Sequence, residues 1–132
     1  APIVWKSNST KRVVGSTLAA ETSALTDSLD CAFCLSSVFG EIISQKNSSM
    51  YKFPICAFTN NKSLVDNAYS TTMPREHRLK IDLAIIKEMI SKHELQKLSF
   101  VTSDNQIADC LTKRGANPRK ISKVFQDGCL FL

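Results

Sequence analysis

From Gly15 onward, Leu18, Leu25, Leu29, Ala32, Phe39 and Ile43 recur at near-helical spacing, which predicts one long amphipathic helix reaching about residue 44. Ser16 or Thr17 is placed to cap its start, and the polar residues 45–49 end it. The run Ile55, Cys56, Ala57, Phe58 has no polar alternation, so it reads as a strand covered on both faces, as parallel strands usually are. Leu64, Val65 and Ala68 mark a short helix after it. A linker over 70–77, centred on Met73 and Pro74, leads to a second amphipathic helix carrying Ile81, Ile85, Ile86, Met89 and Ile90, with Lys87, Glu88 and Lys92 on its polar side. Residues 98–101 form another strand. Ser103 and Gln106 have capping-box spacing, which predicts a helix over 104–113 closed by Gly115. Pro118 suits the first turn of a last helix with Ile121, Val124 and Phe125. Near the N-terminus, 2–5 and 12–14 are short β-like segments joined by the polar loop 6–11. Strands alternating with helices define a layered α/β domain rather than a bundle or a sandwich.

The 132 residues fit a single domain spanning 1–132, with enough apolar content, 43%, to build a core. No apolar run approaches the roughly 20 residues that cross a bilayer, and the N-terminus lacks a secretory layout. The expectation is a protein with no membrane partner, inside the cell, in cytoplasm or nucleus. Seventeen basic against twelve acidic residues leave a net charge of +5, a bias toward phosphate-rich partners that a merely soluble basic surface would share. Lys113, Arg114, Arg119, Lys120 and Lys123 cluster near the C-terminus, and Arg75, Arg78 and Lys80 precede the second long helix. Five cysteines, an odd number without secretory context, are expected to be reduced. Cys31 and Cys34 have Cys-x-x-Cys spacing without a second ligand pair nearby, so buried structural thiols are expected rather than a zinc site.

Among titratable residues, Glu21 lies at helical spacing from Leu18 and Leu25, beside the face that packs on the sheet. A carboxylate there is either a site group, since burying it demands a cation or several donors, or a first-turn acid favoured by the helix dipole. Asp109 lies opposite Ile107 and Leu111 on its helix, which by periodicity alone is a solvated face. His77 and His93 have no serine, cysteine or carboxylate arranged as a triad, and no glycine-rich phosphate loop is present. Asn60 follows the buried strand directly, at the strand end where open α/β sheets gather their ligands.

Five blocks then occur in an order that carries a family resemblance: 2–7 (PIVWKS), 12–22 (RVVGSTLAAET), 59–64 (TNNKSL), 78–82 (RLKID) and 106–113 (QIADCLTK). The chain resembles the ribonuclease H domain of copia-type retrotransposon polyproteins. The resemblance implies a ribonuclease H-like mixed sheet flanked by helices. It also implies an adjoining reverse transcriptase portion of the polyprotein, and a reaction that cuts the RNA strand of an RNA/DNA hybrid. In such a reaction carboxylates hold a pair of Mg2+ ions that activate water and stabilise the leaving oxygen.

Mapped by motif, the family's helix glutamate corresponds to Glu21, the aspartate ending its buried strand to Asn60, and its last carboxylate to Asp109. Glu21 and Asp109 are therefore the implied metal ligands, and Asn60 is a degenerate catalytic position. The family's first-strand aspartate has no counterpart, because the resemblance starts at the third strand. The first two strands, the central one included, are expected to be lacking, so this is an N-terminally truncated version of the domain. A gap at a central strand leaves backbone groups unpaired at roughly 1–3 kcal/mol each where they are buried. An amide offers a cation one neutral oxygen but no negative charge, so Mg2+ binding is expected to be weak or absent and cleavage by this chain impaired or lost. The resemblance also places Asn61, Lys62 and Ser63 near the hybrid backbone, with Arg78 and Lys80 as further candidate contacts. Helix capping and solvation account for the same residues equally well. The alternative to an enzyme domain is a non-catalytic module derived from a retroelement that binds nucleic acid or protein.

Overall fold

The computed structural model describes residues 4–7, 13–44 and 53–128. The elements follow in the order α1 (Thr17–Ser44), β1 (Ile55–Thr59), α2 (Lys62–Tyr69), α3 (His77–Ser91), β2 (Leu95–Phe100), a 3-10 turn (Ser103–Asn105), α4 (Asp109–Thr112) and α5 (Arg119–Asp127). The architecture is mixed α/β: a two-stranded parallel sheet, β1 beside β2, with helices packed on it.

Ser16 starts α1 as a side-chain cap, its Oγ accepting the Ala19 N–H at 3.1 Å. The helix brings Leu29 into the core, flanked by Leu18, Leu25 and Phe33. Leu64 and Ala68 from α2, Ile86 and Met89 from α3, and Leu95 and Leu98 from β2 complete that core. Some side chains expected on buried faces are exposed: Ile43 at 63%, and Ile81 and Ile85 at 51% and 36%, because α3 buries Leu79, Leu83, Ile86 and Met89 instead.

The inner side of α1 is also more polar than hydrophobic spacing implies. Thr22, Ser23, Thr26 and Ser36 are all buried. Thr22 Oγ1 donates to the Leu18 carbonyl at 2.6 Å, Thr26 Oγ1 to the Thr22 carbonyl at 3.0 Å, and Ser36 Oγ reaches across to the Phe53 carbonyl at 2.8 Å. The hydroxyls of Thr22, Thr26 and Ser36 thus satisfy their donors on backbone, which is what permits burial.

In β2, an extra residue between the pairs Ile55–Leu95 and Cys56–Lys97 makes a bulge. It turns both Leu95 and Leu98 inward while Gln96 and Lys97 stay exposed, the departure from strict alternation a bulge produces. The strand starts three residues before the segment expected from sequence, because that offset hid its alternation. Cys56 of β1 is exposed, so this strand is not covered on both faces.

Backbone direction separates the two edges of the sheet. Leu98 donates its N–H to Tyr69 Oη at 3.2 Å, and the same hydroxyl donates to the Leu98 carbonyl at 3.3 Å. A residue of a parallel strand turns both backbone groups to one side, so Tyr69 stands where a third strand would. Thr59 accepts from Val101 N–H at 2.9 Å, so Cys56 and Phe58, which alternate with it, turn their backbone toward the opposite edge. Among the described residues no strand pairs there.

Several expectations are corrected. Val4, Trp5, Val13 and Val14 belong to no strand; Val13 is 90% exposed, and its carbonyl accepts from Arg78 Nη1 at 3.2 Å rather than from a sheet neighbour. A β-segment with no apolar face to bury has nothing to hold it in a sheet. The helix expected over 104–113 is broken. Gln106 is extended, with ψ 100°, and Ser103 lies inside the 3-10 turn instead of capping a helix. Gly115 does not close that helix: α4 ends at Thr112 with an extended Lys113 as its cap, and Gly115, at φ 78°, lies in the turn beyond it. Cys31, Cys34 and Cys56 are free and exposed, not buried, because α1 turns Leu29 and Ser36 inward at that level. The loops expected over 6–11 and 45–49, residues 2–3 of the segment 2–5, Arg12 and Cys129 fall outside the described residues, wholly or in part.

Candidate functional site

At their carboxyl ends β1 and β2 deliver two loops side by side. Thr59 is the last residue of β1 and is buried. Its Oγ1 accepts the Asn61 N–H at 3.2 Å, which folds the chain back sharply after the strand. Asn61 then caps α2, its Oδ1 accepting the Leu64 N–H at 3.1 Å, so this side chain is spent on the helix start.

Asn60 is left facing the neighbouring strand's exit. Its Nδ2 donates to Ser103 Oγ at 3.4 Å, a bond between the first residue beyond β1 and the turn beyond β2. A carboxylate at 60 would accept from the same hydroxyl, so the contact itself does not require the amide. Ser103 is the partner that sequence reading assigned to helix capping. The available signal was topological: it lies just past the second of two parallel strands, beside the end of the first.

Glu21 is half-buried in the second turn of α1, next to Thr22, which is the fully buried position. Asp109 opens α4 and is only 19% exposed, whereas Leu111 on the other side is 36% exposed. The expectation of a solvated Asp109 is therefore reversed; its carboxylate is tied to Lys113 Nζ at 2.5 Å. Among the described residues, no group of three or more histidines, cysteines, aspartates or glutamates comes together as a metal site. With an amide at 60 and Asp109 engaged by a lysine, the donors present do not fit a pair of hard divalent ions.

The remaining residues expected near a hybrid are on the surface. Lys62 and Ser63 are exposed in the first turn of α2, Arg78 reaches toward Val13, and Lys80 is exposed on α3. A cavity of about 440 Å³, lined by Phe33, Pro54, Ile55, Glu94 and Gln96 among others, lies at the amino ends of the strands, away from Asn60. No helix among the described residues is long and apolar enough to cross a membrane. Comparison with protein-family models, with curated proteins and with solved structures yields no match.

Proposed function

We propose that this chain is the ribonuclease H-like portion of a copia-type retroelement polyprotein, working inside the cell beside the reverse transcriptase portion, and that it grips an RNA/DNA hybrid without cutting it. Five sequence blocks in family order support the first half of that reading. The unpaired edge of β1 at Cys56 and Phe58 is compatible with it, because there the resemblance places the central strand.

The observation that carries the second half is the state of position 60. At the strand end where hydrolysis needs negative charge stands a neutral amide whose N–H is directed at Ser103. Asp109 is paired with Lys113, and Glu21 alone does not assemble a metal pair. What survives is a net positive chain with exposed cations at Lys62, Arg78 and Lys80 for the phosphate backbone.

The test is incubation of a labelled hybrid with the chain in magnesium, reading the RNA strand on a denaturing gel and binding by fluorescence anisotropy. The hybrid is expected to be bound and its RNA left whole. Asn60→Asp alone is expected to leave it whole as well, since one added carboxylate beside a lysine-paired Asp109 does not assemble a metal pair. Magnesium-dependent RNA cleavage by the unaltered chain, or failure to bind hybrid at low salt, would refute the proposal.

A further inference from the structure

Cys31 and Cys34 of α1 are both free and exposed, so this Cys-x-x-Cys pair stands open to solvent. The buried residues Thr22, Thr26, Leu29 and Ser36 lie on the opposite side of the helix at 3.6 residues per turn. Helix residues three apart hold their Cβ atoms about 5–6 Å apart, too far for the roughly 3.5–4.5 Å of a disulfide but close enough for two thiolates to close on one ion. The same exposed face runs on: Leu35 is half-buried, Val38 is 45% exposed and Ile42 66%. Positions 31, 35, 38 and 42 follow alternating steps of four and three, the spacing of a seam between two helices. Asp27 and Asp30, each four residues before one of the thiols, are exposed as well.

We propose that Cys31 and Cys34 bind a thiophilic divalent ion, zinc, and that a second copy of this chain supplies the other two thiolates, so that the ion clamps two α1 helices along this seam. Zinc takes four ligands in a tetrahedron, with Zn–S near about 2.3 Å and the sulfurs thus roughly 3.8 Å from one another. One chain gives two sulfurs and, among the described residues, no third histidine, cysteine or carboxylate joins them. A second copy related by a two-fold axis brings an identical pair, and Leu35, Val38 and Ile42 then cover their counterparts instead of facing water. Along its length α1 carries four acids, Glu21, Asp27, Asp30 and Glu41, and no base. That charge draws a divalent ion toward the thiols and drives two bare helices apart, so the pairing depends on the metal. Binding releases the proton of each thiol as its sulfur joins the ion. The site is separate from the strand ends around Asn60, and the inference stands whether or not the chain holds a hybrid.

The reduced chain titrated with Zn2+ is expected to take one ion per two chains and to double in mass by sedimentation equilibrium, returning to the monomer when a chelator is added. Co2+ in place of zinc is expected to give sulfur-to-metal charge-transfer bands and the visible intensity of a tetrahedral thiolate site. A variant with Cys56→Ser, Cys110→Ser and Cys129→Ser together is expected to keep both results. Cys31→Ser or Cys34→Ser is expected to lose both, with far-UV circular dichroism unchanged throughout. Val38→Ser with Ile42→Ser is expected to raise the zinc concentration needed for doubling about tenfold. Zinc that does not bind, that binds one per chain without a change in mass, or that still binds after both Cys31 and Cys34 are replaced overturns the inference. So does a doubled mass that survives the chelator, and so does a midpoint that the change at Val38 and Ile42 leaves where it was.

Discussion

His93 is the one non-glycine residue with positive φ among those described, at 57°. It follows Lys92 at the end of α3, and two backbone bonds explain its conformation. Glu94 N–H donates to the Met89 carbonyl at 2.9 Å and His93 N–H to the Ile90 carbonyl at 3.1 Å, the pairing that closes a helix through a left-handed residue. Glycine normally fills that position because a Cβ there costs about 1–2 kcal/mol, part of which glycine gives back through unfolded-chain entropy. His93→Gly is therefore predicted to stabilise the fold by roughly 0.5–1 kcal/mol, visible as a raised midpoint in urea denaturation. A lowered midpoint would mean that the imidazole makes a contact that outweighs its backbone strain. Asn60 teaches the complementary lesson. Its identity was plain in the sequence, but its partner Ser103 was not, because 43 residues separate them and only parallel pairing of β1 with β2 brings them together.

At the scale of elements, Tyr69 does for β2 what a neighbouring strand would do, its hydroxyl meeting both backbone groups of Leu98. Tyr69→Phe keeps the ring and removes only that pairing, so it is predicted to destabilise by about 1–2 kcal/mol, measurable by thermal or chemical denaturation. No change on this substitution would mean that water replaces the hydroxyl fully at that edge. The two long helices, β1 and α2 were legible from spacing and caps, since their apolar residues outnumber the exceptions. The misread elements fail for identifiable reasons. The bulge in β2 disguises alternation around Gln96 and Lys97, and the extended Gln106 interrupts a segment whose capping pattern predicts continuous helix. The burial of Thr22 and Thr26 was not legible either, because a hydroxyl that bonds back to its own helix can be buried cheaply and no hydropathy pattern records that bond.

Among the described residues a parallel pair of strands is packed by α1, α2 and α3, with one sheet edge plugged by Tyr69 and the other left without a strand. Asn60 and Ser103 meet at the carboxyl end of that pair, Asp109 is paired with Lys113, and the chain carries a net charge of +5. The residue types of this site were readable from sequence, whereas the burial of Asp109 and its tie to Lys113 were not, because α4 is only four residues long and its surroundings set its exposed side. On the proposed reading, this surface holds nucleic acid through phosphates and releases counterions as it does so. The most direct test of the account is therefore anisotropy of a labelled RNA/DNA hybrid titrated with the chain at a series of salt concentrations, with magnesium present throughout. Each neutralised phosphate contributes a slope of about −0.9 to the plot of log affinity against log salt, so a slope steeper than about −2, with the RNA strand intact at the end, is the predicted result. A flat plot, or RNA shortened during the titration, would contradict it.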